Sequence, residues 1–332
     1  MKARRIAFLL FLVAIIVTIS FTVTHCDGGS GNKCDARAFN VITDSAWQRC
    51  PSLSNDMVVW ADDRSGDWAV YGHNLTNATE LEICSDPALA KDPIISGNIV
   101  VWSDNRNENW DIYGYNIDTR KEFAICTNPA DQSIPDIDGN TVVWIDERNE
   151  NLDIYGFDLN SETEFIICTD IAEQNSPSIS RSNIVWADKR NGNWDIYGYN
   201  RLSKTEFQIT KNPTGQYDPS LCGSTVVWVD EREGNPDIYG YDIEIGEEFP
   251  ICTGDSDQND PDVDDNLVIW RDNRNKNLDI YGYRIGVKSE FPICIDSAEQ
   301  MLPTISGDTI VWMDKRNGNW DIYGAKLVTE ED

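Results

Sequence analysis

Histidine is almost missing from this 332-residue chain, which carries two, His25 and His73. That scarcity excludes most Ser-His and Cys-His nucleophilic schemes and any histidine-rich zinc site. Basic residues are also thin: 27 Lys and Arg face 57 Asp and Glu, a formal net charge of -30. Binding a phosphate backbone needs a basic footprint, so nucleic acid is excluded as a partner. An acidic surface suits cations, basic partners or a salty exterior, and it also serves solubility alone. No stretch beyond the first two dozen residues is apolar enough to span a membrane, none repeats with a helical period, and no Gly-x-Ser-x-Gly elbow occurs.

The N-terminus reads as an export segment. Lys2, Arg4 and Arg5 precede an apolar run from Ile6 to about Val23. That pattern fits a secretory signal, and its length also approaches a spanning helix. There is no small-x-small cleavage site, and Val23-Thr24-His25 before Cys26 is a poor lipobox. Residues 1–26 are therefore read as a signal peptide or membrane anchor, with cleavage favoured, and 27–34 as a short linker. Either form places the remainder outside the cell or on its surface, touching the membrane only through this segment.

The rest of the chain is organised by one period. Trp60, Trp102, Trp144, Trp186, Trp228, Trp270 and Trp312 are spaced by 42 residues, and so are the prolines from Pro51 to Pro303 and the tyrosines from Tyr71 to Tyr323. Each repeat reads as four short strands: one following the proline, a β-branched run ending at Trp-x-Asp, an Asp-Ile-Tyr-Gly strand, and a Glu-Phe strand. Four strands in about 40–50 residues is the signature of a propeller blade. The seventh repeat ends at Asp332, where its fourth strand should begin, while Phe39 lies 42 residues before Leu81. Ala38–Thr43 is therefore expected to complete the last blade. Residues 35–332 are read as a single all-β, seven-bladed propeller of four-stranded antiparallel blades, and a closed ring of this kind is expected to be monomeric.

The run Val101-Trp-Ser-Asp-Asn-Arg-Asn-Glu-Asn-Trp-Asp-Ile-Tyr-Gly114 resembles the TolB-type, WD40-like propeller repeat, in the version found in archaeal cell-surface proteins. The resemblance covers about residues 35–328. It departs at the first turn, where Ile95-Ser-Gly-Asn98 stands in place of Ser-Pro-Asp-Gly. It implies a scaffold that contacts protein or glycan. Some members carry a fused hydrolase or act as lyases.

Most candidate residues recur. Asp62, Asp104, Asp146, Asp188, Asp230, Asp272 and Asp314 each precede an arginine by two positions, Arg64 to Arg316. Alternation puts such a pair on one strand face. With the aspartate of Asp-Ile-Tyr, Asp111 in the second repeat, Asp104 and Arg106 are expected to form a buried structural network. Seven equal copies argue for scaffold rather than catalysis. The first repeat has Ala69 in place of that aspartate and should be looser. Cys84, Cys126, Cys168, Cys252 and Cys294 share one slot, filled by Thr210 in the fourth repeat. Equivalent slots should lie well beyond the ~7 Å limit for a disulfide, so these read as small buried apolar groups. Cys26, Cys34, Cys50 and Cys222 break the pattern, and a Cys34–Cys50 bridge is open.

Residues that differ between repeats are the better guide to function. Trp68, Trp110, Trp194 and Trp320 share a turn slot that holds Leu152, Pro236 and Leu278 elsewhere. Such turns emerge on one face of a propeller, where tryptophan would stack a sugar or anchor a protein, or pack on the next blade. Calcium is the cofactor to consider, since none other is implied. Asp104, Asn107, Asn109 and Asp111 have oxygen-ligand spacing, but Arg106 opposes a cation there. Asp255, Asp257, Asp260, Asp262 and Asp264 are peculiar to one blade junction and are the stronger Ca²⁺ candidates against a plain solvated loop. Asn74 and Asn77 head glycosylation sequons. His73 replaces an aromatic residue and reads as a surface substitution. No residue is singled out as catalytic. The leading reading is an extracellular binding scaffold for an envelope protein or glycan. The alternative is a lyase or glycosidase with a carboxylate pair at the channel mouth.

Overall fold

The computed structural model describes residues 36–84 and 89–328. Within them 28 strands form seven four-stranded antiparallel sheets, with no helix. The strands are numbered in chain order. β1 (Ala36–Ile42) comes first, and blade 1 follows as β2 (Gln48–Ser54), β3 (Met57–Asp62), β4 (Ala69–Asn74) and β5 (Thr79–Cys84). The export segment, the linker, Cys26 and Cys34 lie outside the described residues. Cys50 carries no disulfide to any described cysteine.

Each blade places its first strand innermost. First strands of adjacent blades lie against one another round the ring, from β2 to β26 (Gln300–Ser306) and back, so they line an axial channel. The second strands, rich in valine and isoleucine, are buried on both faces. Their tryptophans, Trp60 to Trp312, have no exposed surface and fill the space between blades.

Every blade is pinned by the same buried constellation. The Trp Nε1–H donates to the Asp Oδ2 two residues on, at 2.8–3.1 Å. An Arg Nη2 meets that oxygen at 2.5–2.6 Å. The guanidinium lies 4.0–4.4 Å from the centroid of the repeat tyrosine. A carboxylate with no exposed surface is tolerable only when its charge is met by such donors. At Asp104 burial favours the neutral acid, but the bonds from Arg106 and Trp102 outweigh it and hold the carboxyl below its usual range. The network therefore includes Asp104 and Arg106 but not Asp111, which instead accepts from Asn107 at 2.7 Å and Asn109 at 2.9 Å. In blades 2 to 7 two hydrogen-bonded groups replace the single one expected, and blade 1, with Ala69, has only the first.

The recurring cysteines sit where blades meet. Arg106 Nη2 reaches Cys84 Sγ of the preceding blade at 3.4 Å, and Arg148 reaches Cys126 at 3.3 Å. Burial pushes the thiols of Cys126, Cys168, Cys252 and Cys294 up to about 12. They are inert thiols in a packed junction, and none of the four is bridged.

The first strands begin three residues before the proline, earlier than the sequence suggests, because each contains a β-bulge. In blade 3 the register slips between Ser133 and Asp136, and Ile134 has φ 51°. The same left-handed residue recurs in all seven blades, as Cys50, Asp92, Ser176, Asp218, Asp260 and Leu302 in the others. The bulge turns these side chains towards the axis.

Closure occurs as the repeat predicts. β1 pairs with β28 (Asp321–Leu327), and Phe39 stands opposite Gly324. A Cβ on Gly324 would lie 2.8 Å from the Phe39 ring, as one on Gly114 would lie 2.6 Å from Phe123. β1 thus supplies the aromatic that blades 2 to 6 take from their own fourth strands, where blade 1 has Leu81. Replacing Phe39→Ala should lower unfolding stability by about 2 kcal/mol through lost burial against Gly324. Chemical denaturation measures this, and an unchanged midpoint would contradict closure through β1.

Candidate functional site

The two ends of the channel differ. At one end the turn after each first strand hydrogen-bonds to the last side chain of the preceding blade's first strand. Gly97 N donates to Ser54 Oγ and Gly139 N to Ser96 Oγ, both at 3.0 Å. Arg181 N donates to Asp138 and Gly223 N to Ser180. Asp265 N donates to Cys222 Sγ at 3.4 Å, Gly307 N to Asp264 Oδ2 at 2.6 Å, and Asn55 N to Ser306 Oγ at 3.0 Å. Seven bonds close a belt. Cys222, irregular by sequence, is the sulfur stand-in for a serine acceptor.

The middle of the channel is acidic. Asp136 accepts from Ile137 N and Ile179 N, both at 2.8 Å. Asp262 accepts from Ser220 Oγ at 2.8 Å, Val263 N at 2.9 Å, Ile305 N at 3.0 Å and Thr304 Oγ1 at 3.1 Å. Both side chains are half-buried in the inner wall. Burial pushes the Asp136 carboxyl up to about 6, against the pull of its backbone donors, and the Asp262 charge adds to the rise. Asp262 is raised by burial as well.

The other end is the mouth. Its loops join second to third strands and one blade to the next. Here the shared turn slot works through its backbone, because its carbonyl accepts the first N–H of the next blade's inner strand, at 2.7–3.0 Å in all seven blades. That bond needs no particular side chain, which is why Trp, Leu and Pro all occur. Trp68, Trp110, Trp194 and Trp320 are half-buried. Arg49 Cζ lies 3.4 Å from the Trp68 centroid and Lys91 Nζ 4.1 Å from that of Trp110. Lys189 and Lys315 lie 5.3 Å and 5.2 Å from Trp194 and Trp320.

Trp194 borders a pocket. Between blades 4 and 5, it lines a cavity of about 320 Å³ with Asn175, Ser176, Tyr217, Asp218 and Glu231. Tyr217 donates to Glu231 at 3.2 Å and Ser176 to Asp218 at 3.1 Å. Burial raises the Asp218 carboxyl, and the neighbouring Asp260 charge adds to the rise. Arg271 Nε stands 3.0 Å from Asp260. The sequence did not single out Tyr217, Asp218 or Glu231. The available signal was Gly215, the one glycine in a slot that holds Trp47, Leu89, Asp131, Glu173, Asp257 and Glu299 in the other blades. A Cβ there would lie 3.0 Å from Glu231.

The structure does not gather the five acids considered for Ca²⁺. Asp255 is exposed in the blade junction, and Asp257 bonds with Asn273. Asp260, Asp262 and Asp264 sit at successive heights along one strand, each committed to protein donors. Among the described residues no three His, Cys, Asp or Glu side chains are grouped to hold a metal ion. In the turns, the amides of Asn107 and Asn109 point their donors at Asp111, an orientation suited to the carboxylate rather than a cation. Asn74 ends β4 and Asn77 lies in the turn that follows, at the opposite end from the mouth; Asn77 is exposed, and Asn74 accepts from Thr76 N and Asn77 N at 3.0 Å. His73 is half-buried beside Glu80, and burial lowers its pKa.

No protein-family profile matches the chain, and no curated protein is detectably similar to it. Solved structures do match in fold. Oligogalacturonate lyase from Vibrio parahaemolyticus is 14% identical, with a TM-score of 0.67 over 95% of this chain and 98% of the lyase. The β-propeller domain of the Trilobed protease from Pyrococcus furiosus is 16% identical, at 0.67 over 86% and 96%. TolB from Acinetobacter baumannii is 14% identical, at 0.53 over 71% and 62%. A further oligogalacturonate lyase structure, 12% identical at 0.68, holds manganese. At such identities the likeness is one of β-propeller fold, which hosts unrelated chemistries.

The raised Asp136 has a pH consequence. Its folded form holds a proton that the unfolded chain has released, so its contribution to stability grows as pH falls from about 6 towards 4. Asp136→Asn should remove that increment. Thermal unfolding at pH 7 and pH 5 tests this, and an identical pH response in the two proteins would contradict it.

Proposed function

We propose that the chain is an extracellular or cell-surface binding protein, exported through its N-terminal segment, whose monomeric propeller offers its mouth face to an envelope protein or glycan. The observation that carries this reading is the pocket between blades 4 and 5. It combines aromatic walls from Trp194 and Tyr217 with polar groups from Asn175, Ser176, Asp218 and Glu231. Half-buried aromatics beside a few converging polar groups are the usual composition of a recognition site. Other carboxylates have scaffold roles: seven lie in the Trp-Asp-Arg constellation, and Asp136 and Asp262 in the channel accept bonds that link blade to blade.

A second reading, a carbohydrate-active enzyme, is favoured by one observation. Asp218 and Asp260 stand on adjoining first strands, close enough for the Asp260 charge to raise Asp218, with Arg271 beside them. Two neighbouring carboxyls in unequal surroundings, one of them beside an arginine, are the pattern of an acid–base pair. Turnover of an acidic oligosaccharide that disappears in Asp218→Asn would establish it in place of binding alone.

Capture of an envelope partner and binding on a glycan array test the main proposal. Trp194→Ala should weaken retention about tenfold, near 1.4 kcal/mol. The paired Trp110→Ala should have a smaller effect, because Lys91 already covers that ring. Unchanged retention in both variants would remove the mouth face as the binding surface.

A further inference from the structure

The repeat itself shows what kind of group the Trp194 pocket takes. In blade 1 the second residue of the inner strand is Arg49, and its guanidinium lies 3.4 Å from the Trp68 ring centroid. In blade 2 the same position is Lys91, whose ammonium lies 4.1 Å from Trp110. In blade 7 it is Met301, which packs in one apolar cluster with Trp320. In blade 4 the position is Asn175, too short to cover the ring, and here a cavity of about 320 Å³ opens beside Trp194.

The charges around the cavity are unbalanced in the same sense. The slots of Gly215 and Glu231 form an ion pair in blades 4 and 7. Lys189 is paired with Glu173 at 3.1 Å, and Lys315 with Glu299 at 3.0 Å. In blade 5 the slot facing Glu231 holds Gly215, and among the described residues the Glu231 carboxylate has a single side-chain donor, the Tyr217 hydroxyl at 3.2 Å. Asp218 adds a second carboxyl, and no lysine or arginine lines the cavity. Lys189, near Trp194, is already matched by Glu173.

We propose that this pocket binds a guanidinium group, presented as an arginine side chain by a basic protein partner. The proposal rests on the mouth face being a binding surface and names its chemistry. A planar guanidinium can stack on an indole and present two parallel N–H donors to a carboxylate. Trp194 supplies the ring and Glu231 the carboxylate, with Asp218 adding attraction. The incoming group takes the place that Arg49 fills in blade 1. Coulomb attraction from a strongly acidic chain would speed the encounter and weaken with salt.

The probe is N-butylguanidinium, compared with neutral N-butylurea of similar shape. Binding to the full chain is read from the indole Nε1–H NMR signal of Trp194, assigned by its loss in Trp194→Phe. Butylguanidinium should shift that signal at concentrations at least tenfold below those needed for butylurea. Glu231→Gln should weaken it about tenfold, and raised salt should weaken it further. Asn175→Arg, which recreates the blade 1 arrangement, should abolish the shift while leaving the other indole signals in place. Equal binding of butylurea, indifference to Glu231→Gln, or no shift with either probe would overturn the proposal. A neutral oligosaccharide that shifts Trp194 where butylguanidinium does not would assign the pocket to glycan instead. Partner capture that persists in Asn175→Arg would overturn the guanidinium site and leave the broader binding reading standing. Loss of capture only in variants away from this pocket would place the binding surface elsewhere on the face.

Discussion

The fold depends on a charge placed where water cannot reach it. Each blade buries an aspartate completely between an indole N–H and a guanidinium. Such a carboxylate is costly unless every donor is in place, so it tolerates few alternative arrangements. The arginine extends the constraint in three directions. It lies over the tyrosine of the third strand, bonds a glutamate of the fourth in six blades, and in five blades touches a cysteine of the blade before. Blade 7 lacks the glutamate because its fourth strand comes from the N-terminus, where Ala38 stands in that register. A unit that specifies its own strands and its neighbour's position can be repeated until the ring meets itself.

This is why so much of the architecture was legible. A period of 42 residues kept without insertion leaves little freedom in blade number, strand order or closure. The Trp, Asp and Arg positions could be assigned to structure because seven equal copies cannot share one catalytic role. Other features were not visible. Nothing in Gln132-Ser-Ile-Pro announces that Ile134 adopts φ 51°, since β-branched residues avoid that region and only the packed ring imposes it. Without the bulge, the side chains facing the channel could not be chosen correctly. The acidic run from Asp255 to Asp264 looked contiguous along the chain, yet a strand disperses alternate residues along its length.

The candidate site was half legible. The tryptophan slot was found, but its main duty is a backbone carbonyl that ties blades together, and sequence does not display that. The cations over Trp68 and Trp110 come from another strand, so their effect on each ring's availability is a three-dimensional fact. The pocket exists because two small changes coincide: glycine at 215 and asparagine at 175. Departures from an otherwise strict repeat are where a scaffold has room to acquire a function.

The buried Trp-Asp-Arg constellation can be tested by a double-mutant cycle at Asp188 and Arg190, which meet at 2.6 Å. Stability would be measured by chemical denaturation for Asp188→Asn, Arg190→Met and the double variant. The account predicts a loss of about 3–5 kcal/mol for Asp188→Asn, which strands the guanidinium. It also predicts a double variant at least about 1 kcal/mol more stable than the sum of the single losses implies. Single losses that add to within about 0.5 kcal/mol would contradict it, because independent side chains cannot be what holds the blades in register.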